Sequence, residues 1–154
     1  MIKMRLLVDA DACPVKNEII QLGQEFSIPV VFVLSFAHFH QTDKRKDVTV
    51  IYVDQSSQSV DIHLANMIQA GDIVFTNDYG LASMLIRPKV IVFSFRGQRY
   101  TAENMDQLLE QRHFSFRVRR GGGKTKGPKA FSILDRKKFV ESVRKSLIFL
   151  QENA

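Results

Sequence analysis

The chain has 154 residues, 45% of them hydrophobic and 25% charged, which predicts one globular domain over residues 1–154 with an ordinary core. Its single cysteine, Cys13, excludes an internal disulfide and a multi-cysteine metal cluster. No apolar run approaches the roughly 18 residues of a membrane span, and the first residues lead into a strand rather than a signal peptide. We therefore expect a cytoplasmic protein without a membrane partner.

Apolar runs and amphipathic segments alternate along the chain. In chain order the pattern predicts a strand at 6–9, a helix at 14–26, strands at 30–34 and 48–53, a helix at 60–70, a strand at 73–76, a helix at 81–86, a strand at 90–95, and helices that begin at Thr101 and at about Asp135. The strands are rich in β-branched residues and nearly uniformly apolar, as is typical of strands covered on both faces. The alternation predicts an α/β, Rossmann-like, doubly wound domain with a mainly parallel sheet of about five strands flanked by helices.

The excess positive charge lies in one Gly-rich segment, residues 117–129, which we expect to be a flexible loop. It contains six basic residues and no acid: Arg117, Arg119, Arg120, Lys124, Lys126 and Lys129. The 16 basic residues left elsewhere equal the 16 acids, so the rest of the chain is formally neutral. A cationic segment of this kind predicts contact with phosphate backbone, that is, a nucleic acid partner.

Acidic residues follow two of the predicted strands. Asp9 and Asp11 close the first strand, and Asp78 lies just after the fourth. In a doubly wound sheet these strands are commonly neighbours at the topological switch, so the three carboxylates would face one crevice. Like charges this close repel unless a cation lies between them, and oxygen ligands favour Mg²⁺ or Mn²⁺ over zinc.

Asp61 is a fourth candidate ligand because of its helical position. On a helix it shares a face with Leu64, Ala65 and Ile68, so its carboxylate is expected to point inward. Its place in the first turn puts it beside the same crevice, although a carboxylate that merely stabilises the helix dipole gives the same pattern.

Asp72 precedes its strand and is expected at the opposite edge of the sheet, away from the proposed site. The roles of Cys13, Ser35, His38 and His40 stay open at this point, as does the formation of a homo-oligomer.

Three motifs carry a resemblance to a known family. They are VDADACP at 8–14, TNDYGLA at 76–82, and RRGG at 119–122 leading through TKGPK at 125–129. In these motifs the chain resembles the bacterial YaiI/YqxD family over nearly its whole length. That family in turn resembles PIN-like nuclease domains, so the resemblance implies a single PIN-like domain.

The PIN-like resemblance implies a divalent-metal site for phosphodiester hydrolysis. Asp9, Asp61 and Asp78 match the positions of its metal-binding acids, while Asp11 is an additional acid and the Gly-rich basic segment departs from the general pattern. The leading hypothesis is therefore a nuclease acting on RNA, or on another nucleic acid, with Asp9, Asp11, Asp61 and Asp78 as catalytic and metal-binding residues and Mg²⁺ or Mn²⁺ as the cofactor.

Two other functions fit parts of the same pattern. A strand followed by Asp-x-Asp, with Ser35 ending the next strand, is similar to phosphatases of the haloacid dehalogenase type, in which Asp9 would be the nucleophile and Asp11 the acid/base. A non-catalytic RNA-binding module would use the basic segment alone and predicts salt-sensitive binding.

Overall fold

The computed structural model describes residues 3–35, 48–54, 57–123 and 130–153, with only the backbone of residues 57, 58, 112, 116 and 119. The six strands are β1 (Arg5–Asp9), β2 (Val30–Ser35), β3 (Val48–Val53), β4 (Asp72–Phe75), β5 (Ile91–Phe93) and β6 (Arg99–Tyr100). The five helices are α1 (Lys16–Phe26), α2 (Ser57–Met67), α3 (Tyr79–Leu85), α4 (Ala102–Arg120) and α5 (Ile133–Glu152). Over these described ranges, no helix combines the length and the apolar character that crossing a bilayer requires.

The strands form one sheet in the order β3-β2-β1-β4-β5-β6. All neighbouring pairs are parallel except β5 and β6, which are antiparallel. The chain runs outward from β1 to β3 and then returns to place β4 on the other side of β1. This confirms the predicted α/β architecture and makes the carboxyl ends of β1 and β4 the topological switch point. The sequence pattern missed β6 because two residues are too few to show a period.

Both faces of the sheet are covered by helices, which explains the continuous apolar strands. Leu6 and Val8 point to the side of α1 and α5, where Phe139 is fully buried. Leu7 points to the other side and packs in the cluster formed by α2, α3 and α4, which includes Leu64. Because side chains alternate along a strand, β1 needs apolar residues at every position between its ends.

Helix α4 extends further than the sequence predicted. The segment 117–129 was expected to be a loop, but α4 continues through Arg120, so its three arginines lie on a helix. Gly122 has a φ of 85°, and the Gly123 N–H donates to the Val118 carbonyl at 2.9 Å, which is a Schellman-type helix end. The glycines therefore terminate the helix at its last turn. Lys124, Lys126 and Lys129 lie outside the described residues.

Candidate active site

Asp9 is the last residue of β1, and a hydrogen bond joins it to the end of β4. The Thr76 hydroxyl donates to Asp9 Oδ2 at 2.8 Å. Thr76 is itself buried and directly follows β4, and its Oγ1 accepts the Asp78 N–H at 3.0 Å. The pairing of β1 with β4 thus fixes the Asp9 carboxyl next to the turn that carries Asp78.

The electrostatics of Asp9 show that the predicted acids surround it. The pKa of Asp9 is raised to about 6, mainly by burial and also by the nearby carboxylates of Asp61, Asp11 and Asp78, against the opposing effect of the Thr76 hydrogen bond. An unburied aspartate has a pKa near 3.8. The fold therefore gathers negative charge at the switch point and leaves the central carboxylate hard to ionise, an arrangement that occurs most often at functional sites.

Asp61 reaches this cluster from α2. Leu64 on the same helix is fully buried and Ile68, just beyond its end, is 8% exposed, so the predicted inward face is the one that packs on the sheet. Asp61 itself is half-buried at the edge of that face. Burial and the charge of Asp78 raise its pKa. The charge of Asp61 in turn raises the pKa of Asp9.

Asp78 is exposed, and it both caps a helix and adds charge to the acids. It is the N-cap of α3, since its Oδ1 accepts the Leu81 N–H at 3.1 Å. Its charge also acts on both Asp9 and Asp61. The preceding residue, Asn77, fixes the turn from the other side because its Oδ1 accepts the Phe95 N–H at 2.8 Å. The turn is therefore held at both ends while it presents the carboxylate.

Asp11 connects β1 to β2. Its Oδ1 accepts the Ser35 N–H at 2.8 Å, at the carboxyl end of β2, whereas the N-cap position of α1 is occupied by Val15. The Asp11 side chain therefore does not cap α1. Ser35 takes part in this contact through its backbone N–H. The charge of Asp11 also raises the pKa of Asp9.

The donor set is made of carboxylate oxygens, which suits a hard divalent cation. Within residues 3–35, 48–54, 57–123 and 130–153, however, no three carboxylate, histidine or cysteine side chains lie close enough to enclose a metal ion. Mg²⁺ does not need such a cage, since it is usually bound through one or two carboxylates and keeps several waters. The residues present fit that second mode, in which Asp9 would be the central ligand and Asp61, Asp78 or Asp11 its partner.

The basic segment begins on described structure at the end of α4, and the description resumes at residue 130. Arg117 and Arg120 are exposed on the last turn of α4, and of Arg119 only the backbone is described. After the segment, the Phe131 ring packs against the core. The guanidinium carbons of Arg96 and Arg136 lie 5.3 and 5.2 Å from its centroid.

Arg136 also binds the start of α1. Its Nη1 donates to the Pro14 carbonyl and forms an ion pair with Glu18. These contacts join the first turn of α5 to the start of α1. Sequence reasoning missed Arg96 and Arg136, because an isolated arginine in a turn or on a helix carries no signal of what it will pack against.

Cys13 is not suited to nucleophilic chemistry. Burial raises the pKa of its thiol to about 12, with the charges of Asp9 and Glu18 contributing in the same direction. The thiol is therefore protonated at neutral pH. His38 and His40 lie outside the described residues. Asp72 lies at the amino end of β4, away from the acids, as the sequence predicted.

The fold and the acid cluster define a doubly wound α/β domain with carboxylates at the carboxyl ends of its two central strands. The chain belongs to the YaiI/YqxD family, described as "Uncharacterized BCR, YaiI/YqxD family", whose pattern matches residues 7–148. A relative named "UPF0178 protein" from Bacillus anthracis (strain CDC 684) is 43% identical over 96% of this chain and 100% of its own length. One from Enterococcus faecalis is 42% identical over 94% and 100%. No solved structure matches the chain.

Proposed function

We propose that the protein is a nuclease, a phosphodiester hydrolase that depends on Mg²⁺ or Mn²⁺ and acts on nucleic acid, with RNA favoured over DNA. One observation carries the proposal: the half-buried Asp9 carboxyl at the switch point is surrounded by the charges of Asp61, Asp11 and Asp78. A cation bound there would relieve this repulsion, so the site is most stable when it holds one. The PIN-like resemblance supports the same use of Asp9, Asp61 and Asp78.

The residues of the chain would position the reacting groups. Thr76 orients Asp9 by donating to its Oδ2, and the capped turn at Asn77 and Asp78 fixes the opposite wall of the crevice. Asp61 adds negative charge from the side of α2. Asp9 with Asp61, Asp78 or Asp11 would hold the divalent cation, which when bound would activate water for attack and stabilise the charge on the leaving oxygen.

The cations of the chain supply affinity for the phosphate backbone. Arg117 and Arg120 lie exposed on the last turn of α4, and Arg119 lies between them in the sequence. The acids would repel a polyanion, so cations of the chain are needed to hold it. This complementarity favours a nucleic acid over a small phosphate ester.

Replacing Asp78 with asparagine is expected to reduce Mg²⁺-dependent cleavage of single-stranded RNA by about 100-fold or more, because the cation loses one of its carboxylates. Asparagine is as good an N-cap as aspartate, so the fold is retained. The measurement is a gel-based cleavage assay with Mg²⁺, with Mn²⁺ and with a chelator. Asp106→Asn, the same change at an exposed position on α4, is the matched control and leaves the rate unchanged.

Two outcomes of this assay contradict the nuclease. Full cleavage by the Asp78→Asn variant shows that the site lies elsewhere. A covalent phosphate trapped on Asp9, seen by mass spectrometry after incubation with a phosphomonoester, shows instead a phosphatase of the haloacid dehalogenase type.

Neutralising Arg117 and Arg120 together as glutamines is expected to weaken binding of single-stranded RNA. If each contacts one phosphate, the slope of log affinity against log salt falls by about 1.4. Fluorescence anisotropy over a salt series, in the presence of a chelator to prevent cleavage, measures both quantities. The control is the double variant Lys137→Gln/Lys145→Gln, which removes two exposed charges from α5.

Equal losses of affinity in the two double variants show that only net charge matters. Salt-sensitive binding with no cleavage under any metal condition identifies an RNA-binding module.

A further inference from the structure

A cavity of about 670 Å³ opens at the amino ends of the strands, on the edge of the sheet opposite to the acids. This volume lies in the range typical of small-molecule sites. The described residues that line it come from the amino ends of β1, β4 and β5, the turn before β5, β6 and the end of α5: Met4, Gly71, Asp72, Arg87, Pro88, Lys89, Val90, Ile91, Arg99, Leu150 and Asn153. The proposed nuclease site does not use any of them.

The charge of this cavity is positive. Arg87, Lys89 and Arg99 line it, and among the described residues none of the ion pairs or side-chain hydrogen bonds involves the side chains of these three. Asp72 is the only acid in the described lining, and it is neutralised by Arg5, whose Nε and Nη2 donate to its two oxygens at 2.9 and 2.7 Å. The described lining of the cavity therefore carries three cationic residues and no acid that is free to neutralise them.

Lys89 occupies a backbone position that normally belongs to glycine. Its φ is 65°, and the Val90 N–H donates to the Arg87 carbonyl at 3.2 Å across a turn that has Pro88 as its second residue. Proline followed by a positive φ is the pattern of a type II turn, in which glycine or asparagine is strongly preferred at the position of Lys89. A lysine is strained there, and strain of this kind is found mainly where a side chain has a function.

The walls between the cations are aliphatic. Met4 and Leu150 contribute apolar surface from the side of α5, and Val90 contributes it from the turn. None of the described lining residues is aromatic, so the cavity lacks the surface on which a base would stack. A ligand that matches both properties has an anionic head with more than one charge and a body of saturated carbon.

We propose that this cavity binds a phosphorylated small molecule with an aliphatic body. The phosphate dianion would lie among Arg87, Lys89 and Arg99, and the aliphatic part would contact Met4 and Leu150. The site is separate from the acidic crevice because the two lie at opposite ends of the same strands. Its occupancy does not depend on whether the protein cleaves RNA.

Isothermal titration calorimetry with hexyl phosphate tests this proposal on the intact chain. Hexyl phosphate is expected to bind at least about tenfold more tightly than inorganic phosphate, since the alkyl chain buries apolar surface. Lys89→Gln should weaken its binding by about tenfold, the usual effect of losing one charge-assisted contact. Lys137→Gln, which removes an exposed lysine from the far end of α5, should not change it.

Lys89→Gly separates a binding role from a structural one. Glycine removes both the cation and the strain, so this variant should bind hexyl phosphate as weakly as Lys89→Gln while its Tm rises by about 2–4 °C. Unchanged affinity in both Lys89 variants overturns the assignment to this cavity. Hexyl phosphate that binds no better than inorganic phosphate overturns the aliphatic body, and adenosine monophosphate that binds more tightly replaces it with a nucleoside. RNA cleavage is expected to be equal in all of these variants, so a failure here is distinct from a failure of the proposed nuclease.

Discussion

Replacing Asp9 with asparagine is expected to stabilise the protein at neutral pH while abolishing metal-dependent cleavage. Folding raises the pKa of this group from 3.8 to about 6, so the ionised form is disfavoured in the native state. After allowance for partial solvent access, removing the charge should raise the free energy of unfolding by about 2 kcal/mol, or Tm by about 4–8 °C. Asparagine can still accept the Thr76 hydroxyl, so the local hydrogen bond is kept.

The pH dependence has a definite sign. The stability that the protonated Asp9 contributes is fully present below about pH 3.8 and is lost as the pH rises through about 6. The difference between the variant and the natural protein should therefore be small near pH 4 and reach its full value above about pH 7. Urea unfolding at several pH values measures it, with Asp106→Asn as the exposed control.

Added Mg²⁺ provides an independent readout of the same residue. A cation that binds the native state raises Tm by mass action, so millimolar Mg²⁺ should raise the Tm of the natural protein and not that of Asp9→Asn. Destabilisation by Asp9→Asn at neutral pH, or an equal Mg²⁺ effect in both proteins, contradicts a cation site centred on Asp9.

Replacing Arg5 with methionine is expected to destabilise the protein by about 3–5 kcal/mol, because it leaves a buried carboxylate without its counter-charge. The Asp72 side chain is fully buried and is held by two hydrogen bonds from Arg5. The Gln69 N–H, at 2.8 Å from Asp72 Oδ2, is the main donor that would remain. Arg5 also donates to the Met67 carbonyl at 3.0 Å, so the end of α2 loses a contact as well.

Thermal and urea unfolding measure this loss, and a second variant isolates its cause. Combining Arg5→Met with Asp72→Asn removes the buried charge and should recover part of the stability. The matched control is Arg144→Met, which breaks a similar two-hydrogen-bond pair with Glu25 on the exposed surface and should cost little. A loss at Arg5 no larger than that at Arg144 shows that the buried pair does not stabilise the fold.

Local sequence patterns predicted those helices and strands whose bounds are set by the residues within them. The bounds of β3, Val48–Val53, agree with the prediction because a run of β-branched residues has few other stable conformations. The helix expected at 60–70 lies at Ser57–Met67 instead. Gly71 has a φ of 98° and donates its N–H to the Lys89 carbonyl, so it shapes the turn into β4 and does not end α2. A glycine shows that an unusual φ is needed but does not say which element needs it.

The sequence by itself determined the α/β order, the strands that end in acids and the place of the excess positive charge, because these follow from local periodicity and composition. Only the tertiary structure decided which acids lie near one another. The β1–β4 pairing connects Asp9 to Thr76, and the end of β2 engages Asp11. The raised pKa of Asp9, the anchoring of Phe131 and the cationic cavity at the other edge depend on burial and on contacts between residues far apart in the chain, and local sequence does not encode these.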